Sequence, residues 1–371
     1  MAIDSFKWFE VANIELLDSP SLLVFEDRLD QNLDWMIQTA GGVERLFPHM
    51  KTHKMAEVLR RFLSRGIRRV KCATIAEAEL AAREGIPEIL VAHALVGPKK
   101  HRFVALMNQF PHVAWSTLLD ISSEIEGWAM LADKNQLSIG LYLDVNVGMD
   151  RSGHPVNAEL LTLVEKIQAQ ARLQLVGFHV YDGHLRQSDV QERTNRIEAG
   201  LAPFYEFLAA NQLTHYRVIA GGTPAFPVHA QREERYCSPG TGVFWDSGYG
   251  DSLPEQGFLP AALVISRVIS KPAPGIVTLD AGHKAMASEN PITHRMTWLN
   301  APTAYDWKSQ SEEHGVLTVE DDRAYQIGDV LYGLPFHICP TVNLYDEAYL
   351  IRNHQWVETW AIEGRKRKLT I

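Results

Sequence analysis

The chain has 371 residues, 46% of them hydrophobic and 22% charged, which provides for a large core and is too balanced for disorder. Its 45 acidic residues against 36 Lys and Arg leave a formal net charge of −9, which argues against binding nucleic acid by phosphate neutralisation. No run approaches the ~20 apolar residues that cross a bilayer, the opening MAIDSFKWFE has no signal-peptide core, and Cys72, Cys237 and Cys339 do not form a disulfide framework, so a cytoplasmic, reduced protein is expected.

The first 20 residues precede any barrel strand and are expected to join a β domain. From about residue 45 to 240, β-rich runs alternate with amphipathic stretches, the pattern of parallel βαβ units. Eight runs fit strands: RLFPHM (45–50), RRVKCAT (68–74), EILVAHA (88–94), HVAWST (112–117), SIGLYLDVN (138–146), LVGFHVYD (175–182), YRVIAGG (216–222) and RYCSPG (235–240). Segments such as IAEAELAAREG (75–85) space Ala and Leu at helical intervals. Eight βα repeats predict an α/β fold with a (β/α)8 TIM-type barrel over 21–250, its site at the carboxyl ends of the strands. Beyond about residue 255, strand-like runs lack intervening helices, which predicts an all-β domain over 251–371. The terminal RKRK (365–368) reads as a solvated tail.

Chemistry-bearing residues collect at the predicted strand ends. The first end, PHMKTHK (48–54), offers Lys51, a lysine placed to form a Schiff base when desolvation exposes its lone pair, whereas Lys54 falls toward the next helix. The seventh and eighth ends, AGGTPAF (220–226) and CSPGTGVF (237–244), supply Gly221, Gly222, Thr223, Gly240 and Thr241, residues suited to cradling a phosphate with backbone N–H and hydroxyl groups. A lysine facing a phosphate cradle suggests pyridoxal 5'-phosphate. At the fifth end Arg151 is placed to hold an anionic oxygen of the cofactor ring, or to pair with Asp150 on the surface. At the sixth, His179 and Tyr181 share a strand face, and His184 follows as a candidate acid or base. In PFHIC (335–339), His337 and Cys339 are expected to face one way from an extended strand, as two ligands of an open divalent-metal site.

Taken in order, PHMKTHK, YDGH, GGTP, SPGTGVF, DAGHKA (280–285), SEEHG (311–315) and PFHICPTVNLYD (335–346) resemble the D-threonine aldolase and D-serine dehydratase family over nearly the whole chain. That resemblance implies an alanine-racemase-like barrel with a C-terminal β domain, Lys51 as the Schiff-base lysine, Arg151 near the phenolic oxygen, Tyr181 beside the ring, and His337 with Cys339 as ligands of Zn, Mn or Mg. It also implies a homodimer acting on a small D-amino acid. Two positions depart from the family pattern: Phe47, where an arginine is common, and Gly242, where a tyrosine is usual and whose absence is expected to make room for a bulkier or acidic substrate. The implied reaction is retro-aldol cleavage of a D-3-hydroxy amino acid, with His184 taking the hydroxyl proton, and dehydration to a keto acid and ammonia is the alternative. Racemisation needs no metal pair, and a non-catalytic cofactor carrier needs no second domain, so both rank lower.

Overall fold

The computed structural model describes residues 6–367. Residues 1–5 of the N-terminal segment and Lys368 of the basic tail lie outside the described residues. In chain order, strand β1 (Ser21–Phe25) leads into helix α1 (Glu26–Ala40). The next strands are β2 (Arg69–Cys72), β3 (Glu88–Ala94), β4 (Ala114–Leu119), β5 (Ile139–Asn146), the short β6 (His154–Pro155), β7 (Leu173–Val180), β8 (Arg217–Ala220) and β9 (Arg235–Cys237). Helices α2 (Ala56–Ser64), α3 (Ile75–Arg83), α4 (Pro98–Gln109), α5 (Ile125–Asn135), α6 (Ala158–Gln168), α7 (Val190–Ala210) and α8 (Phe226–Ala230) alternate with them. The chain continues through α9 (Ser247–Ser252), β10 (Ala262–Ala273), β11 (Ile276–Leu279), β12 (Met296–Trp298), β13 (Tyr305–Gln310), β14 (Gly315–Val319), β15 (Val330–Pro335), α10 (Ile338–Val342), β16 (Glu347–Arg352) and β17 (Gln355–Ala361).

Two compact units result, one of residues 36–240 with 363–367 and one of residues 6–35 with 241–362. The first unit is the barrel. Its strands pair in parallel in the order β2-β3-β4-β5-β7-β8-β9. The expected first strand, 45–50, is not a regular strand. It touches both edges of the sheet through single bridges, Leu46 to Cys237 on β9 and His49 to Lys71 on β2, with Phe47 N donating to Cys237 O and Lys71 N donating to Pro48 O. It therefore closes a ring of eight staves, and Pro48, which has no N–H, interrupts the ladder. Phe47 is fully buried with Leu90, Leu118, Tyr142 and Ile219 inside the ring, a burial worth about 1.5–3 kcal/mol for such a side chain. An arginine there would have to bring a charge into that core.

Local signals fix the helices around this ring. Thr74 caps α3 by accepting from Glu77 N, and the Glu77 carboxylate reaches back past the cap to accept from Ala73 N at 2.6 Å. Asn157 caps α6 by accepting from Glu159 N and Leu160 N, and Asp189 caps α7 by accepting from Glu192 N.

The second unit is a nine-stranded sheet in the order β13-β14-β11-β10-β1-β16-β17, with β15 joining β10 to β12. Strand β1 lies between β10, antiparallel, and β16, parallel. Residues 21–35 and 241–250, expected in the barrel, thus belong with the sheet, because β1 is hydrogen-bonded there. Phe9, Val11 and Leu17 pack into this unit's core with Leu23, Phe25, Leu263 and Ile265. Strand β13 (YDWKSQ) has no buried face, so no apolar alternation marks it.

Candidate active site

The carboxyl ends of the barrel strands surround a cavity of about 460 Å3 lined by His49, Lys51, Lys71, Asp144, Arg151, His179 and Tyr181 among others. Three lysines lie around its first stave, and the structure separates them. Lys54 is buried in an ion pair with Glu77, the same carboxylate that caps α3. Lys71, on β2, donates to Ser238 Oγ at 2.5 Å and to His179 Nε2 at 3.1 Å. Lys51 lines the cavity, one turn-forming residue past Met50, with its backbone N–H donating to His49 Nδ1 at 3.3 Å.

His179 and Tyr181, predicted to share a face, both line the cavity. His179 donates from Nδ1 to Asp144 Oδ1 at 2.7 Å, and Asp144 Oδ2 accepts from Ser152 Oγ at 2.8 Å. Burial alone would raise the Asp144 proton affinity, but His179, Ser152 and Lys71 together hold it below the usual carboxylate range. Burial first, then Lys71, lowers that of His179, so its ring is neutral and Nε2 is free to accept from Lys71. Burial and the facing lysines likewise hold His49 well below its ordinary value. Arg151 stacks its guanidinium 4.5 Å from the centroid of the Tyr181 ring, while Asp150 is held by Asn146 Nδ2 at 2.8 Å.

The glycine loops lie at the ends of β8 and β9. Gly221 sits at φ +65°, and a Cβ there would come within 2.4 Å of the His229 ring, so only glycine fits. Gly222 abuts the Tyr181 ring, and Thr223 Oγ1 accepts from Gly240 N at 3.0 Å, tying the two loops together. Behind them His229 bonds Asp182 Oδ2 at 2.8 Å, while Asp182 Oδ1 is buried with no hydrogen-bond partner among the described residues. An amine lining a cavity, a stacked Arg–Tyr pair, a glycine-lined loop and a buried acceptor awaiting a donor form a chemically suitable set for pyridoxal phosphate. His184 is exposed, with its ring facing Gly148, and is not among the cavity's lining residues. Nothing in that geometry assigns it the hydroxyl proton.

In the sheet unit the expected strand over 335–339 ends at Pro335. His337 stands at the N-cap of α10 and Cys339 lies in its first turn. Asp246 imposes this turn: its carboxylate caps α9 through Tyr249 N at 3.0 Å and accepts from Ile338 N at 3.0 Å. Pro340 sits in the first turn of α10, where a missing N–H costs nothing. The pair nevertheless meets. Burial works against the His337 proton, yet bonds to Cys339 and Glu289, with Asp246 nearby, lift its proton affinity to about 9. His337 Nδ1 lies 2.6 Å from Glu289 Oε1, and Cys339 Sγ is 3.3 Å from Thr241 Oγ1. An imidazole, a thiol and a carboxylate side by side are donor types that a divalent cation takes. Among the described residues no cluster of three or more His, Cys, Asp or Glu could hold a metal, so a cation on His337 and Cys339 would keep open positions. Thr241, expected in the phosphate cradle, has its hydroxyl beside this sulfur. Gly242 does not leave room: a Cβ there would lie 2.3 Å from the Phe258 ring, which fills the space.

Lys71, Asp144 and Ser238 escaped the sequence reading. The signal for the first two was a charged residue inside an otherwise apolar strand, RVKC and IGLYLDVN; Ser238 had none. No helix among the described residues is long and apolar enough to cross a membrane.

Comparison with known proteins agrees with this architecture. A D-threonine aldolase of Arthrobacter sp is 28% identical over 94% of this chain and 93% of its own length. A 3-hydroxy-D-aspartate aldolase of Paracoccus denitrificans (strain Pd 1222) is 25% identical over 94% and 92%. The crystal structure of D-threonine aldolase from Filomicrobium marinum superposes with a TM-score of 0.85 at 25% identity, covering 94% of this chain and 96% of that one. Residues 261–351 match the putative serine dehydratase domain. Residues 24–247, well over half of the sequence, match the alanine racemase N-terminal domain, and the chain belongs to that family.

Proposed function

We propose that the chain is a pyridoxal-phosphate- and divalent-metal-dependent lyase that cleaves D-3-hydroxy amino acids to glycine and an aldehyde. The observation that carries this reading is the sorting of the lysines: Glu77 occupies Lys54 and the His179–Ser238 pair occupies Lys71, while Lys51 lines a cavity shared with Arg151 and Tyr181. The names of the curated relatives support cleavage, since both are aldolases.

When bound, pyridoxal phosphate supplies an electron sink for charge developing at the substrate's α-carbon, and the metal supplies a Lewis acid for its β-hydroxyl. The chain's own residues do the rest. Lys51 offers the amine that bonds the cofactor aldehyde. Arg151 would offer its charge to an anionic oxygen of the cofactor ring, and Tyr181, against which Arg151 and Gly222 lie, would help hold that ring. Gly221, Gly222, Thr223 and Gly240 offer backbone N–H and hydroxyl groups to the phosphate, with Thr241 at the margin. His337 and Cys339 would hold the metal, with Glu289 orienting the imidazole. The resemblance further supports a cytoplasmic homodimer.

D-threonine distinguishes the two reactions. Cleavage releases glycine and acetaldehyde; dehydration, which the match to a serine dehydratase domain keeps in view, releases 2-oxobutanoate and ammonia. Glycine and acetaldehyde in equal amounts are expected. Keto acid and ammonia without glycine would replace the aldolase by a dehydratase.

A further inference from the structure

The cofactor reading leaves Lys71 without a task. It is 3% exposed and lines the same cavity as Lys51. Burying an ammonium is costly unless it is paired and hydrogen-bonded, and an apolar side chain of similar length fills a core at less cost. Here the charge is held by a built network that spans the cofactor cradle. On one side Lys71 donates to Ser238, whose hydroxyl donates to the Gly221 carbonyl at 2.8 Å. On the other it donates to His179, which donates to Asp144, whose second oxygen accepts from Ser152 beside Arg151. The ammonium also lies 5.9 Å from the Tyr181 ring centroid.

We propose that Lys71 is a positioning residue that presents a second positive charge to the cavity and thereby sets the proton affinity of the imine formed at Lys51. The inference rests on Lys51 as the cofactor lysine. In that step the Lys51 nitrogen bonds the aldehyde carbon and the aldehyde oxygen leaves as water. The charged and titratable groups facing Lys71 are His49 and Lys51 from the first stave, Asp144 on β5 and Arg151 beyond it, His179 on β7 and Asp182 beyond it. Burial, then the facing Lys51 ammonium, brings the Lys71 proton affinity down to about 7, with Asp144 and Asp182 working the other way. An imine at Lys51 that has lost its proton no longer opposes Lys71, whereas a protonated one does, so the imine proton and the Lys71 proton compete, with Arg151 as the further cation against Lys71. A cation at this range opposes protonation of the imine nitrogen.

The test is a pH titration of the visible band of the cofactor-loaded protein, which reports the imine proton without reference to turnover. Lys71→Met raises the midpoint by about one pH unit or more, a tenfold change in proton affinity, and Lys71→Arg, which keeps the charge, leaves it within about 0.3 unit. Asp144→Asn strips a compensating negative charge and lowers the midpoint. An unmoved midpoint in Lys71→Met, or an equal rise in Lys71→Arg, overturns the proposal. Should Lys71→Met not fold, an unmoved or raised midpoint in Asp144→Asn overturns it alone. Borohydride trapping and peptide mapping of the wild-type protein separate the two layers. An adduct on Lys71 overturns the Lys51 assignment and this inference with it, whereas an adduct on Lys51 with unmoved midpoints overturns only the role of Lys71.

Discussion

The barrel unit and the sheet unit hold their reactive groups in opposite ways. In the barrel, the Lys71–His179–Asp144 chain and the Asp182–His229 pair are each buried and hydrogen-bonded internally, so much of the desolvation is met during folding and the site is preorganised. In the sheet unit, the His337 and Glu289 side chains are 43% and 46% exposed, and their geometry is set by a short helix whose N-terminus Asp246 fixes. One site is built before its ligand arrives. The other sets the His337 imidazole against Glu289 and Cys339 and, under the proposed function, would be completed by a cation. Under the proposed function the two tasks separate: cofactor capture would belong to the barrel, and activation of the substrate hydroxyl to the sheet.

That separation is broken most visibly by removing the metal. Chelation, His337→Ala or Cys339→Ala should lower turnover by roughly three orders of magnitude, the scale of several kcal/mol of Lewis-acid stabilisation, with the visible band of the bound cofactor unchanged. Full turnover in metal-free protein, or loss of the band on chelation, would merge the two tasks. A smaller effect sharpens the comparison within the sheet unit. Gly242→Tyr must displace the Phe258 ring and should cost about 1–3 kcal/mol by overpacking, read as a lower midpoint in denaturant. An undiminished midpoint would mean that Phe258 moves freely and that the position is open to substrate after all.

What the sequence disclosed follows the same divide. Barrel strand ends are marked by punctuation, Gly-Gly-Thr-Pro, Ser-Pro-Gly-Thr and Tyr-Asp-Gly-His after apolar runs, and Lys51, Arg151 and Tyr181, singled out at such ends, line one cavity. The first stave was legible as a position and not as a ladder, because the missing N–H of Pro48 breaks its pairing. His337 and Cys339 were legible as a pair. Their conformation was not, since period-two reasoning sees only a strand, whereas Asp246, 92 positions away, caps the segment into a helix. Nor does anything around Gly242 announce the Phe258 ring. Lys71 was written in plain sight as the one charge in RVKC beyond its first residue. Its partners come from three other strand ends, and only the closed ring brings them together.

The most direct test is chemical. Borohydride reduction of the cofactor-loaded protein, followed by peptide mapping, should place a single phosphopyridoxyl group on Lys51, in equal yield before and after chelation. A group on Lys54 or Lys71, or one lost when the metal is removed, would contradict the assignment of cofactor capture to the barrel through Lys51.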